Sequence, residues 1–149
     1  MSKVSQLKKA KTPKALSRGP VLWGYTETRR ADFSELKGLT LSEIVRYSDD
    51  ADILDLYTVC GRKFRLQHEQ DCCESVYIES ITGELDDLIG SEILRAKEEI
   101  STNEEASESG TWTFYKLATR KGYVDIRWNG ESNGYYSESV SFFEYKPKF

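Results

Sequence analysis

Histidine and methionine each occur once in the 149 residues, proline and cysteine three times each, and no apolar run approaches the ~20 residues that cross a bilayer as a helix. A lone histidine excludes metal motifs built on paired imidazoles. Phosphate-binding loops, dinucleotide-binding glycine patterns and serine-nucleophile elbows are also missing, which removes several large enzyme classes. The basic start of the chain lacks the apolar stretch of a secretory signal, so a cytosolic protein with no membrane contact is expected. Cys60, Cys72 and Cys73 are odd in number and two are adjacent. Neighbouring residues rarely reach disulfide geometry, so reduced thiols are expected rather than a stapled scaffold.

What is present points to one folded domain. Aromatics make up 12% of the chain, with nine tyrosines and three tryptophans, which is too apolar a set for global disorder despite 31% charged residues. Charge is unevenly spread. Lys3, Lys8, Lys9, Lys11, Lys14 and Arg18 fall in the first 18 residues with no acid among them. With these six set aside, 15 basic groups face 25 acidic ones, so a basic arm of +6 precedes a body of −10. Residues 1–31 are expected to form a flexible N-terminal arm, and residues 32–149 a single antiparallel-β-rich domain.

Within the body, residues 33–41 suit a short helical turn, capped by Asp32 or Ser34 and stopped at Gly38. Residues 43–48 and 53–59 flank the polar turn Ser48-Asp49-Asp50-Ala51-Asp52 and read as a hairpin. Phe64, Leu66 and His68 alternate on one strand face, and residues 74–81 read as a further strand. Residues 82–90 suggest one helical turn ending at glycine. Ile93, Ala96, Lys97 and Ile100 give a helical stripe. Residues 111–119 and 123–128 form the clearest pair of strands, with Val124, Ile126 and Trp128 facing the core. Two Asn-Gly pairs then predict a tight connection to a last strand over residues 135–145. The fold class expected is α+β: a mostly antiparallel meander or partly open barrel of about six to seven strands, one or two short helices and a basic N-terminal extension.

Three groups of residues could carry function. His68, Asp71, Cys72, Cys73 and Glu74 bring an imidazole, two thiols and two carboxylates to one strand-to-strand corner. A zinc site using Cys60, His68 and one further cysteine, or a cysteine nucleophile with His68 as base, fits the residue types. Against both, adjacent cysteines on a strand point opposite ways and His68 shares a face with Phe64 and Leu66, so a structural corner is the simpler reading. The second group is the Asn-Gly-Tyr-Tyr segment, with Asn133, Tyr135 and Tyr136 as candidate binding residues, or else an ordinary aromatic hairpin. The third is the arm, where Lys8, Lys9, Lys11, Lys14 and Arg18 could neutralise phosphates or an acidic protein. No catalytic residue, metal or cofactor is assigned.

The motifs His68-Glu69-Gln70-Asp71-Cys72-Cys73-Glu74-Ser75-Val76-Tyr77-Ile78, Gly83-Glu84-Leu85-Asp86-Asp87-Leu88-Ile89-Gly90, Thr111-Trp112-Thr113-Phe114-Tyr115 and Gly130-Glu131-Ser132-Asn133-Gly134-Tyr135-Tyr136-Ser137-Glu138-Ser139-Val140 occur in that order. In this the chain resembles a family of uncharacterised small proteins encoded by tailed bacteriophages and prophages, over about residues 36–143. The resemblance implies synthesis in a host bacterial cytoplasm and brings no activity with it. The expected function is a non-enzymatic accessory protein that docks on a host or phage protein, or a protein–nucleic-acid complex, through the basic arm. A small catalytic or ligand-binding domain using His68 to Glu74, and a minor virion component, are the alternatives.

Overall fold

The computed structural model describes residues 4–8 and 25–147, with the side chains of 4–8, 25–27 and 147 left aside. The described residues form ten strands: β1 (Val4–Lys8), β2 (Tyr25–Arg30), β3 (Leu41–Tyr47), β4 (Leu54–Thr58), β5 (Lys63–Gln67), β6 (Ser75–Thr82), β7 (Arg95–Thr102), β8 (Ser109–Thr119), β9 (Gly122–Ser132) and β10 (Ser141–Pro147). They make two sheets, ordered β1-β3-β4-β5-β10-β2 and β6-β9-β8-β7. Every pairing is antiparallel except that of β1 with β3.

Alternation explains how the sheets meet. Leu54, Leu56, Phe64, Leu66 and Phe142 point inward from the first sheet, and Ile78, Tyr115, Leu117, Val124, Ile126 and Trp128 from the second. They form one buried cluster, with the Phe64 and Phe142 rings stacked at 5.2 Å. Two single-turn 3-10 helices help close this core. One, Phe33–Leu36, is capped as expected: the Asp32 carboxylate accepts from Ser34 N at 3.0 Å, and the Glu35 carboxylate accepts from Asp32 N at 3.0 Å. The other, Leu85–Leu88, is followed by Gly90 at a φ of +82°.

Several expectations are corrected. Among the described residues the sheets form no closed barrel and helix is confined to these two turns, so in place of the α+β expectation stands a two-sheet, mostly antiparallel structure. The expected helix over residues 93–100 is strand β7, which pairs residue by residue with β8 from Arg95↔Ala118 to Thr102↔Thr111. Ile100, counted in the helical stripe, is 62% exposed. The last strand starts at Ser141 rather than residue 135, because β9 runs on to Ser132 and the chain then leaves the sheet. Tyr25–Arg30, counted with the arm from sequence, pairs with β10 from Phe143↔Arg30 onward. Of the arm's candidate residues, Lys9, Lys11, Lys14 and Arg18 lie outside the described residues, and Lys8 is described only as the backbone end of β1.

Strand order also fixes where the candidate site sits. β5 pairs with β10 in one sheet, and β6 pairs with β9 in the other. The chain therefore crosses between sheets twice at the same end, over residues 68–74 and again over 133–140. The register pairs Ser141 with Gln67 and Ser75 with Glu131, so the two crossovers start and finish as neighbours.

Candidate functional site

His68 follows the last residue of β5, where alternation turns it inward, and it is 8% exposed. Its Nε2 meets Glu74 Oε2 at 2.7 Å, and its Nδ1 meets the Ser139 carbonyl at 2.6 Å. A carbonyl and an ionised carboxylate only accept, so both contacts are hydrogen bonds when the ring carries a proton on each nitrogen. The imidazole thus bridges the two crossovers. Glu74 is 5% exposed and also accepts from Asp71 N at 2.8 Å and Cys72 N at 2.9 Å. Burial pushes its pKa up, but the Cys72 and Asp71 amides and the His68 ring outweigh that and hold it at about 2. Gln70 Nε2 closes the turn onto the Cys72 and Glu74 carbonyls at 3.2 and 2.7 Å.

The turn changes the cysteine expectation. Residues 72 and 73 lie in a bend rather than a strand, their side chains lie on the same side, and their sulfurs are joined as a disulfide. Both residues are exposed. Cys60 is the free cysteine, set in the β4–β5 turn with its Sγ 3.2 Å from Thr58 Oγ1. Among the described residues, no three His, Cys, Asp or Glu side chains stand together so as to hold a metal ion.

Outside the His68–Glu74 lock lies an open cleft of about 480 Å³, lined by Arg30, His68, Glu69, Gln70, Asp71, Ser137, Ser139 and Ser141. Its polar groups are tied to one another: Glu69 Oε1 accepts from Arg30 Nη2 and from Ser141 Oγ, each at 3.0 Å. Arg30, Ser137, Ser139 and Ser141 were not singled out from sequence. The only trace they leave there is the serine spacing in the second crossover, which acquires meaning once β10 is set beside β5.

Asn133, Tyr135 and Tyr136 belong to that crossover but do not line the cleft. Asn133 Oδ1 accepts from Tyr135 N at 2.9 Å in a tight turn through Gly134, whose φ is +94°. Tyr135 is 83% exposed and its ring meets Tyr136 edge to face at 5.0 Å. The rest of the crossover is anchored on β9. Glu138 accepts from Thr111 Oγ1 at 2.7 Å and from Ser132 Oγ, and its backbone lies so close that a Cβ on Gly130 would stand 2.6 Å from its carbonyl oxygen.

The family model for a domain of unknown function, DUF7448, matches residues 34–142, which takes in both crossovers and the core of both sheets. The chain belongs to the DUF7448 family. No curated protein and no solved structure matches it. The DUF7448 match begins after β2, so β1 and β2 lie outside the matched residues.

Proposed function

We propose that this DUF7448 protein is a phage-encoded, non-enzymatic accessory protein that acts in the bacterial cytoplasm. The two-sheet body is a rigid platform, and Lys8, Lys9, Lys11, Lys14 and Arg18 dock it on a host or phage protein or protein–nucleic-acid complex. One observation carries the non-enzymatic half of this reading. His68 is the sole histidine, and both its nitrogens are bound within the fold, to Glu74 and to the Ser139 carbonyl, so it has none left to serve a cysteine or a substrate. The charge segregation supports the other half, since six cations with no acid among them can neutralise phosphates or carboxylates on a partner.

Recovery of partners from infected-cell lysate tests it. The tagged protein should retain a partner at 50 mM salt and lose most of it by 200 mM, as expected when several phosphates or carboxylates are neutralised. The variant with alanine at Lys8, Lys9, Lys11, Lys14 and Arg18 should recover little at either salt. Equal recovery by variant and wild type would remove the arm from the function.

A further inference from the structure

The face of the first sheet turned away from the core is buried, although a single layer has nothing of its own to cover it. Val45, Tyr47, Asp55, Arg65, Phe143 and Tyr145 share that side by alternation and register, and each is at most 8% exposed. The apolar cluster there, Val45, Tyr47 and Ile53 with Tyr57 against it, draws only on this sheet and its β3–β4 turn. Among the described residues, the second sheet and both helical turns gather in the core cluster on the opposite side. A sheet face this dry needs a second layer.

Connectivity shows which part of the chain can supply it. β1 and β2 are the two edges of the six-stranded sheet. β1 runs parallel to β3, and four successive antiparallel pairings from β3 through β4, β5 and β10 set β2 parallel to β3 as well. β1 therefore finishes at one end of the sheet, while β2 starts at the other end on the opposite edge. Residues 9–24 join them, so the connection travels both the width and the length of the sheet. Five strand spacings make a width of about 24 Å and a six-residue strand a length of about 20 Å, a diagonal of about 31 Å. Sixteen residues reach about 50 Å when extended, which spans it with slack. A connection between parallel strands of one sheet passes over a face, and the second sheet fills one of the two. The other stretches outside the described residues, 1–3 and 148–149, are too short to cover four strands.

We propose that residues 9–24 cross the far face of the first sheet, with Val21, Leu22 and Trp23 as the apolar cover over Tyr145 and Tyr57. Val21-Leu22-Trp23 is the one run of three apolar residues in the segment, and it ends two positions before Tyr25. Tyr25 pairs with Pro147, two residues from Tyr145, so the run enters the face at its Tyr145 end. Lys9, Lys11, Lys14 and Arg18 have no carboxylate to seek there, because Asp55 is already held by Arg65 at 2.6 and 2.8 Å. They stay on the solvent side. The far face is thus an interaction surface whose occupant is the chain itself, and the cations are presented over the platform in a loop fixed at both ends. This placement rests on the apolar residues and stands whether or not a partner binds the cations.

Hydroxyl-radical footprinting of the full chain, read by mass spectrometry, tests it. In wild type, Tyr145 and Tyr47 should be labelled about as slowly as the core residue Tyr115 and far more slowly than Tyr135, which is 83% exposed. The variant carrying Val21→Ser, Leu22→Ser and Trp23→Ser should label several-fold faster at Tyr145 and leave Tyr115 protected. If that variant uncovers Tyr115 as well, Trp23→Leu alone is read at Tyr145, where a smaller rise with Tyr115 unchanged is expected. The proposal is overturned if wild-type Tyr145 is labelled as fast as Tyr135, or if the variant so read leaves Tyr145 protected. Wild-type protection that fades on dilution would make a second copy the cover and overturn it too. None of these readings involves a partner, so the docking function fails by a different result, equal recovery from lysate without the cations.

Discussion

Replacing Glu74 by glutamine would freeze the crossover lock in its acid form. In the folded chain the carboxylate is stripped of water, a cost that two backbone amides and the His68 ring more than repay, and its pKa falls from 4.5 to about 2. At ~1.4 kcal/mol for each tenfold, that fall stabilises the folded state by about 3 kcal/mol at neutral pH. The unfolded chain takes up this proton near pH 4.5 and the folded chain only near pH 2. The stabilisation is therefore complete above about pH 5 and is lost as the pH drops through that window, with about 2 of the 3 kcal/mol gone by pH 3. Glu74→Gln carries no charge at any pH. It should unfold with about 3 kcal/mol less stability than wild type at pH 6, and the gap should close to about 1 kcal/mol at pH 3. Urea unfolding at both pH values, with unchanged m, measures this. A gap below 1 kcal/mol at pH 6, or one equal at the two pH values, would refute the lock.

Asp55 and Arg65 are fully buried on the far face of the first sheet, joined by contacts of 2.6 and 2.8 Å, with the Tyr47 hydroxyl on the same carboxylate. Asp55→Asn should cost about 3–5 kcal/mol in thermal or urea unfolding, because it leaves a buried guanidinium uncompensated, and Asp55→Leu with Arg65→Met should recover most of it; a single-variant loss under 1 kcal/mol would contradict this. Gly130→Ala should cost about 1–3 kcal/mol by forcing the second crossover off β9, and hydrogen exchange at residues 137–140 should quicken if that is the cause. Burial raises the pKa of Tyr47 and Tyr115, next to Asp55 and Glu98 respectively. Both phenols should stay protonated in ultraviolet titration past pH 10, where the unfolded chain ionises, so stability should fall as pH rises above about 10; ionisation of all nine tyrosines together near pH 10 in folded protein would count against it.

Strand alternation made the centre of the fold legible, because Val124, Ile126 and Trp128 are inward by the same period that makes β9 a strand. The failures have physical causes. Residues 93–100 carry helix-forming Ala, Lys and Glu, but β7 is an edge strand, and its outward positions carry the charges that edge strands favour. Composition alone cannot distinguish a solvated helix face from a solvated sheet edge; the ladder with β8 decides. The Asn-Gly pairs suggested a hairpin, yet β9 and β10 belong to different sheets, and the chain between them must cross from one to the other. The same crossing turned a cluster that looked chemical into a clasp: His68 was correctly read as inward, but its partner Ser139 lies 71 positions away and contributes only a carbonyl, which no side-chain pattern can announce.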